Sequence, residues 1–187
     1  MKKGNVIIFF LVFIFVISLD QGLKIWVVNN MDLHEAKTIP YLSSIMRLKY
    51  ILNPGLINGF LLWGKYTKIL LLILRIVIIS LFFNFTIKNA KKKSVIDIIK
   101  PSLIISGGIG NTIDWIFYGI FFNNAPNDAP FNFCYGQVVD MLQFKIPDFI
   151  PFLGGNYSKM IFNIADISIL IGIGMYIFLK NKSKNKE

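Results

Sequence analysis

Cysteine and histidine are almost missing from this chain, which has one of each, Cys134 and His34. A lone cysteine excludes an internal disulfide and any thiolate metal cluster. A lone histidine, in a polar stretch far from the other candidates, leaves no basis for a Ser-His-Asp triad or a multi-histidine metal site. His34 is read as a solvated loop residue. Acidic residues are scarce too, 10 against 20 Lys and Arg, so the formal net charge is +10. Such a balance can mark a nucleic-acid binder, but no basic-aromatic surface pattern accompanies the lysines here. No nucleotide loop is present either. The run Gly107-Gly108-Ile109-Gly110 has no Lys-Ser/Thr after it and no strand before it.

What the chain has is apolar length. Of 187 residues 55% are hydrophobic, and mean hydropathy is +0.60. Long runs free of charge are flanked by lysines: Lys2 and Lys3, then Lys88 with Lys91 to Lys93, then Lys180, Lys182, Lys184 and Lys186. That is a membrane-orientation pattern, with the lysine clusters on the cytoplasmic side. The expected fold is an all-α membrane protein of four transmembrane helices with a small β-containing extracytoplasmic segment. The spans are predicted at about 6–28, 66–87, 98–119 and 160–179, within one domain covering 1–180, followed by a basic tail at 181–187. The first run lacks a small-x-small cleavage site and is read as an uncleaved helix. Arg47–Leu52 alternates like a strand and runs into the turn signal Asn53-Pro54-Gly55. Pro101 suits the first turn of the third span. Arg75, in the middle of the second, is read as a snorkelling or partner-paired arginine.

Charged residues inside such runs cost roughly 2.5–3.5 kcal/mol at a helix centre, so those present are functional or paired by default. Asp20 and Lys24, four apart, can pair on one helix face, and Asn163 and Asp166, three apart, share another. Gly107, Asn111, Asp114 and Tyr118 form a stripe at helical spacing. With both termini inside, Asn53, Asn111, Asp114, Asp140 and Asp166 all fall near the outer membrane surface. Asp166 then lies six residues into the last helix, about 9 Å deep. Three of these are carboxylates. Two carboxylates held close cannot both ionise easily. Such a pair can deprotonate water on one side and protonate a leaving amine on the other. On the residues alone, a proton-coupled transporter using the same aspartates fits about as well, though four short spans without an internal repeat weigh against it.

Five short motifs, in order over about residues 6–180, resemble those of the lipoprotein signal peptidases, the type II signal peptidases of bacteria. They are Asp20-Gln21-x-x-Lys24, Asn53-Pro54-Gly55, Gly110-Asn111-x-x-Asp114, Val138-Val139-Asp140 and Phe162-Asn163-x-Ala165-Asp166. The resemblance implies an aspartic endopeptidase of the bacterial cytoplasmic (inner) membrane, multi-pass, with its site near the outer face. Asp140 and Asp166 would be the catalytic dyad. Asn53, Gly55, Asn111, Asp114, Asn163 and Ala165 would support substrate and dyad, and Asp20 and Lys24 would be accessory. The implied partners are membrane lipid and a prolipoprotein whose cysteine carries a diacylglyceryl group, cut just before that cysteine. No metal or organic cofactor is implied, and the cyclic peptide globomycin is the implied inhibitor. The chain departs from the pattern in three places. Trp115 stands where the family commonly has arginine, and Asn58 where an aromatic follows the second motif. The loop between Asp114 and Asp140 is longer than in many members. Residues 120–137 of that loop are expected to form a flap over the site, and Cys134 within it is read as a spare thiol.

Overall fold

The computed structural model describes residues 3–54, 66–89, 94–147, 149 and 155–179. Four long helices carry a four-stranded antiparallel sheet at one end of the bundle. Helix α1 is Lys3–Asn30, α2 is Thr67–Asn89, α3 is Val95–Ile113 and α5 is Ile164–Leu179. A π-helical turn, Asp114–Tyr118, and a last helical turn α4, Gly119–Phe121, extend α3. The strands are β1 (Ala36–Thr38), β2 (Met46–Asn53), β3 (Val138–Lys145) and β4 (Tyr157–Phe162), in that spatial order.

The sheet is larger than the sequence suggests, so the architecture is mixed rather than all-α. Arg47–Leu52 does form a strand, within β2. Strand β3 is buried along Val138–Gln143 on both faces, so it lacks the apolar–polar alternation that marks a half-exposed strand. Residues 160–162, expected in the last span, are the end of β4. The helix starts at Ile164, so Asp166 sits in its first turn, about 3 Å along the axis instead of 9 Å. Pro101 is also placed differently: Ser94 caps α3, its hydroxyl accepting from Asp97 N at 3.3 Å, which starts the helix early and leaves Pro101 in its interior. Gly55, Asn58 and the tail at 181–187 lie outside the described residues.

The helices are apolar on the outside, and several charged and polar side chains are buried inside. Ile7, Leu11, Phe15, Ile73, Leu81, Leu170 and Phe178 are exposed on the helices, while Asp20, Lys24, Asp114 and Asn163 are fully buried. Water would select the reverse; a lipid solvent selects this. Helices α1 and α2 are long and apolar enough to cross a membrane. Helix α5, at 16 residues, is shorter. Inside the bundle, α3 is the central helix, packed on α1, α2 and α5. A Cβ on Gly107 would run into Ala165 O and Ser168 Oγ, so only glycine lets α3 and α5 approach this closely. A core of Val27, Met31, Leu48, Tyr50, Tyr118, Val139 and Met141 fastens the sheet to the end of α1 and to the π turn. That junction is where the polar residues collect.

Candidate active site

Helix α5 begins with reciprocal capping. Asp166 N donates to Asn163 Oδ1 at 2.8 Å, and Asn163 N donates to Asp166 Oδ2 at 3.3 Å. This is a capping box with Asn and Asp in the two roles, and it sets a carboxylate at the positive end of the helix dipole. The Asn163 side chain then reaches the sheet: its Nδ2 donates to Asp140 Oδ1 at 2.6 Å. One residue thus holds both aspartates.

Asp140 is central in β3, opposite Ile51 of β2. Its second oxygen, Oδ2, accepts from Asn53 Nδ2 at 2.9 Å. Only 3% of it is exposed. Burial pushes its carboxyl up to about 7; the charge of Asp166 pushes the same way, against the amides of Asn53 and Asn163 and the charge of Lys24. Asp140 and Asp166 line one open cleft of about 550 Å³, with Asn53 and Pro54 along one side, Met160 to Phe162 along another, and Ile169 and Leu170 below. The cleft is an amphipathic trough with two acids at its polar end.

Beneath it lies a fully buried charge cluster. Lys24 Nζ pairs with Asp20 and with Asp114, both at 2.8 Å, and donates to Asn111 Oδ1 at 2.9 Å. Asn111 in turn donates through Nδ2 to Asp166 Oδ1 at 2.8 Å. Asp20 Oδ1 accepts from Ala165 N at 2.8 Å, and Asp114 Oδ2 accepts from Val139 N at 3.3 Å. The cluster therefore grips α5 beside Asp166 and β3 beside Asp140. Of the three carboxylates singled out in the sequence, two share the cleft. The third, Asp114, is paired with Lys24 and does not line it.

Sequence reasoning left Gln21 without a role. Its Nε2 donates to Asp20, Asp114 and Gly110 O, and its Oε1 accepts from the Tyr118 hydroxyl at 3.0 Å. Its place between Asp20 and Lys24 in the first motif was the available signal. Lys68 was also missed: it donates to the carbonyls of Tyr135 and Gly136. Arg75 is paired, but with a ring: its guanidinium sits 4.1 Å from the Trp115 ring centre. The flap expected at 120–137 is not found. The end of the segment, Phe133 to Gly136, packs on the π turn, where Cys134 N and Gly136 N donate to the carbonyls of Ile116 and Trp115, and Asn124 is tied to Gln137. The wider turn of a π-helix frees those carbonyls, and the segment satisfies them. None of its residues lines the cleft.

A pair of carboxylates bridged by one asparagine, one of them held neutral near pH 7, can activate a water molecule. Comparison with known proteins bears on this arrangement. Residues 12–180 match the model of the family described as signal peptidase (SPase) II. The lipoprotein signal peptidase of Amoebophilus asiaticus is 37% identical over 176 residues, covering 89% of this chain and 75% of that protein. That of Porphyromonas gingivalis is 31% identical over 192 residues, covering 92% and 81%. A solved bacterial membrane enzyme superposes with a TM-score of 0.66 at 25% identity, covering 100% of this chain and 93% of the other.

Proposed function

The chain belongs to the signal peptidase II family of membrane aspartic peptidases, and from that premise we propose that Asp140 and Asp166 are its catalytic dyad. The substrate on this reading is a prolipoprotein bearing a diacylglyceryl cysteine, cut on the N-terminal side of that cysteine. The transporter alternative has no support among the relatives.

Asp140 and Asp166 share one proton between them. A water held between them loses a proton to the ionised carboxylate and attacks the scissile carbonyl. The protonated carboxyl donates to the oxygen that gains charge. Collapse of the tetrahedral intermediate breaks the C–N bond, and the proton taken from water goes to the departing amine of the lipidated cysteine. The signal peptide leaves with a new carboxyl group. Asn53, Asn111 and Asn163 hold the acids; Lys24, Asp20 and Asp114 hold the asparagines and the backbone; Ala165 keeps α5 against α3. Gly55 is assigned to the support by its place in the second motif alone. Four spans, both termini in the cytoplasm and a dyad near the outer face of the inner membrane complete the reading.

The observation that carries it is the double contact of Asn163 with Asp140 and Asp166 at the head of an open cleft with apolar walls. The test is cleavage of a diacylglyceryl precursor in micelles, followed as a mobility shift on a gel. Asp140→Asn and Asp166→Asn are each expected to lose at least about 100-fold in kcat, as general acid–base groups do, while still purifying as folded protein. Globomycin is expected to compete with the precursor. Full activity in either variant would reject the dyad.

A further inference from the structure

Beside the catalytic cleft lies a second groove, of about 330 Å³, between α2, α3 and α5. Its walls are apolar: Leu71, Leu74, Ile78 and Ile104 among others. Two polar side chains line it, Arg75 and Trp115. Both carry a buried nitrogen with no hydrogen-bond partner among the described residues, Arg75 Nη1 and Trp115 Nε1. Guanidinium and indole nitrogens can only donate. Two unsatisfied donors on side chains that line one apolar groove ask for an acceptor from outside the chain.

Several observations narrow that acceptor. Ile169, one turn beyond Asp166 on α5, lines both this groove and the catalytic cleft, so the two are neighbours. The groove's size falls in the range of about 300–1,000 Å³ typical of ligand pockets, and its walls suit a hydrocarbon chain. Asp166 and Asp114 already act on the Arg75 charge, so an anion would add a further negative charge beside the proposed dyad. Arg75 also sits eight residues past Thr67, about 12 Å along α2, where the surroundings are apolar and a hydrated anion is a poor ligand. A neutral carbonyl attached to an alkyl chain meets each condition.

We propose that Arg75 and Trp115 form a subsite for an acyl ester of the substrate's glyceryl lipid, receiving the ester carbonyl on Arg75 Nη1 and Trp115 Nε1 with the chain along the apolar wall. The inference rests on the peptidase reading. It makes Arg75 a specificity-determining residue, and it gives Trp115 two tasks: a face for the guanidinium and an edge for the ligand.

The test compares two precursors in detergent micelles, one with ester-linked chains and one with ether-linked chains of the same length. The ether analogue keeps the hydrocarbon and lacks the carbonyl. The wild-type protein is expected to favour the ester in kcat/KM by roughly 10- to 100-fold, the range for a hydrogen bond to a charged donor. In Arg75→Met the ratio is expected to fall to near one. Trp115→Phe, which keeps the ring and loses the N–H, is expected to lower it partway and serves as the readout should Arg75→Met fail to fold. Equal cleavage of both precursors by the wild type, or an unchanged ratio in the variants, would overturn the subsite and leave the peptidase reading intact. Inhibition by added phosphatidylglycerol that needs Arg75, without any ester preference, would assign the groove to a phosphate and overturn it as well. Failure to cleave either precursor would bring down the peptidase reading, and this proposal with it.

Discussion

At the scale of single residues, the site works by holding charge where solvent cannot screen it. Asp140 is neutral in the folded protein up to about pH 7, whereas in an unfolded chain it ionises near its ordinary value of 3.8. The folded state therefore binds its proton more tightly. The stability that this contributes is full below about pH 4 and is lost as pH rises through 7. The rise from 3.8 to about 7 sets an upper bound on the order of 4 kcal/mol. Melting followed by fluorescence from pH 4 to pH 8 should show the wild-type midpoint falling more steeply than that of Asp140→Asn, whatever the offset between the two. Parallel curves would place the proton elsewhere. Lys24 is the opposite case, a buried cation between two buried anions. Lys24→Met leaves Asp20 and Asp114 uncompensated and should cost about 3–5 kcal/mol, read as a lowered melting temperature together with reduced turnover, because Asn111, which donates to Asp166, keeps only Asn163 of the two donors that hold its oxygen. Much of this was legible beforehand. The Asp20–Lys24 spacing predicted their pairing, and the five motifs held the residues that meet. Arg75 on Trp115 was not legible, because a contact between α2 and the π turn has no signature in local spacing.

At the scale of elements, helix packing depends on a few positions without side chains. Gly107→Ala would push α3 off α5, its methyl meeting the Ala165 carbonyl and the Ser168 hydroxyl. Overpacking of this kind costs typically about 1–3 kcal/mol, and here it moves the helix whose first turn carries Asp166. The control is Gly174→Ala on the same helix pair, where a Cβ meets nothing within 4 Å. The first variant is expected to melt several degrees lower and to cleave poorly; the second should match or slightly exceed the wild type, since alanine favours helix. Gly107 was readable in the sequence as the small first member of the stripe with Asn111, Asp114 and Tyr118. The boundary of α5 was not. Met160–Phe162 is as apolar as the helix after it, and only pairing with β3 makes it a strand. Hydropathy records solvent preference and is blind to which backbone partner a segment finds.

At the scale of the whole molecule, sheet and helices divide the work. The sheet supplies Asn53 and Asp140 from outside the bundle, the helices supply Asn111 and Asp166 from within it, and Asn163 stands where they join. On the proposed reading a substrate anchored by lipid reaches that junction sideways, since the cleft and the neighbouring groove are both lined by α5 and by exposed apolar side chains of the helices. The geometry is useful only if the sheet end faces the compartment where lipidated precursors stand, which is the orientation we propose from the lysine pattern of the sequence. Cysteine accessibility decides it. In a Cys134→Ser background, a single cysteine at Asn127 should react with a membrane-impermeant maleimide once the outer envelope is opened. One at Ser183 should react only after the inner membrane is lysed. The same reactivity at both positions without lysis would put the two ends of the chain's apolar bundle on one side, and the dyad could no longer be placed near the outer face.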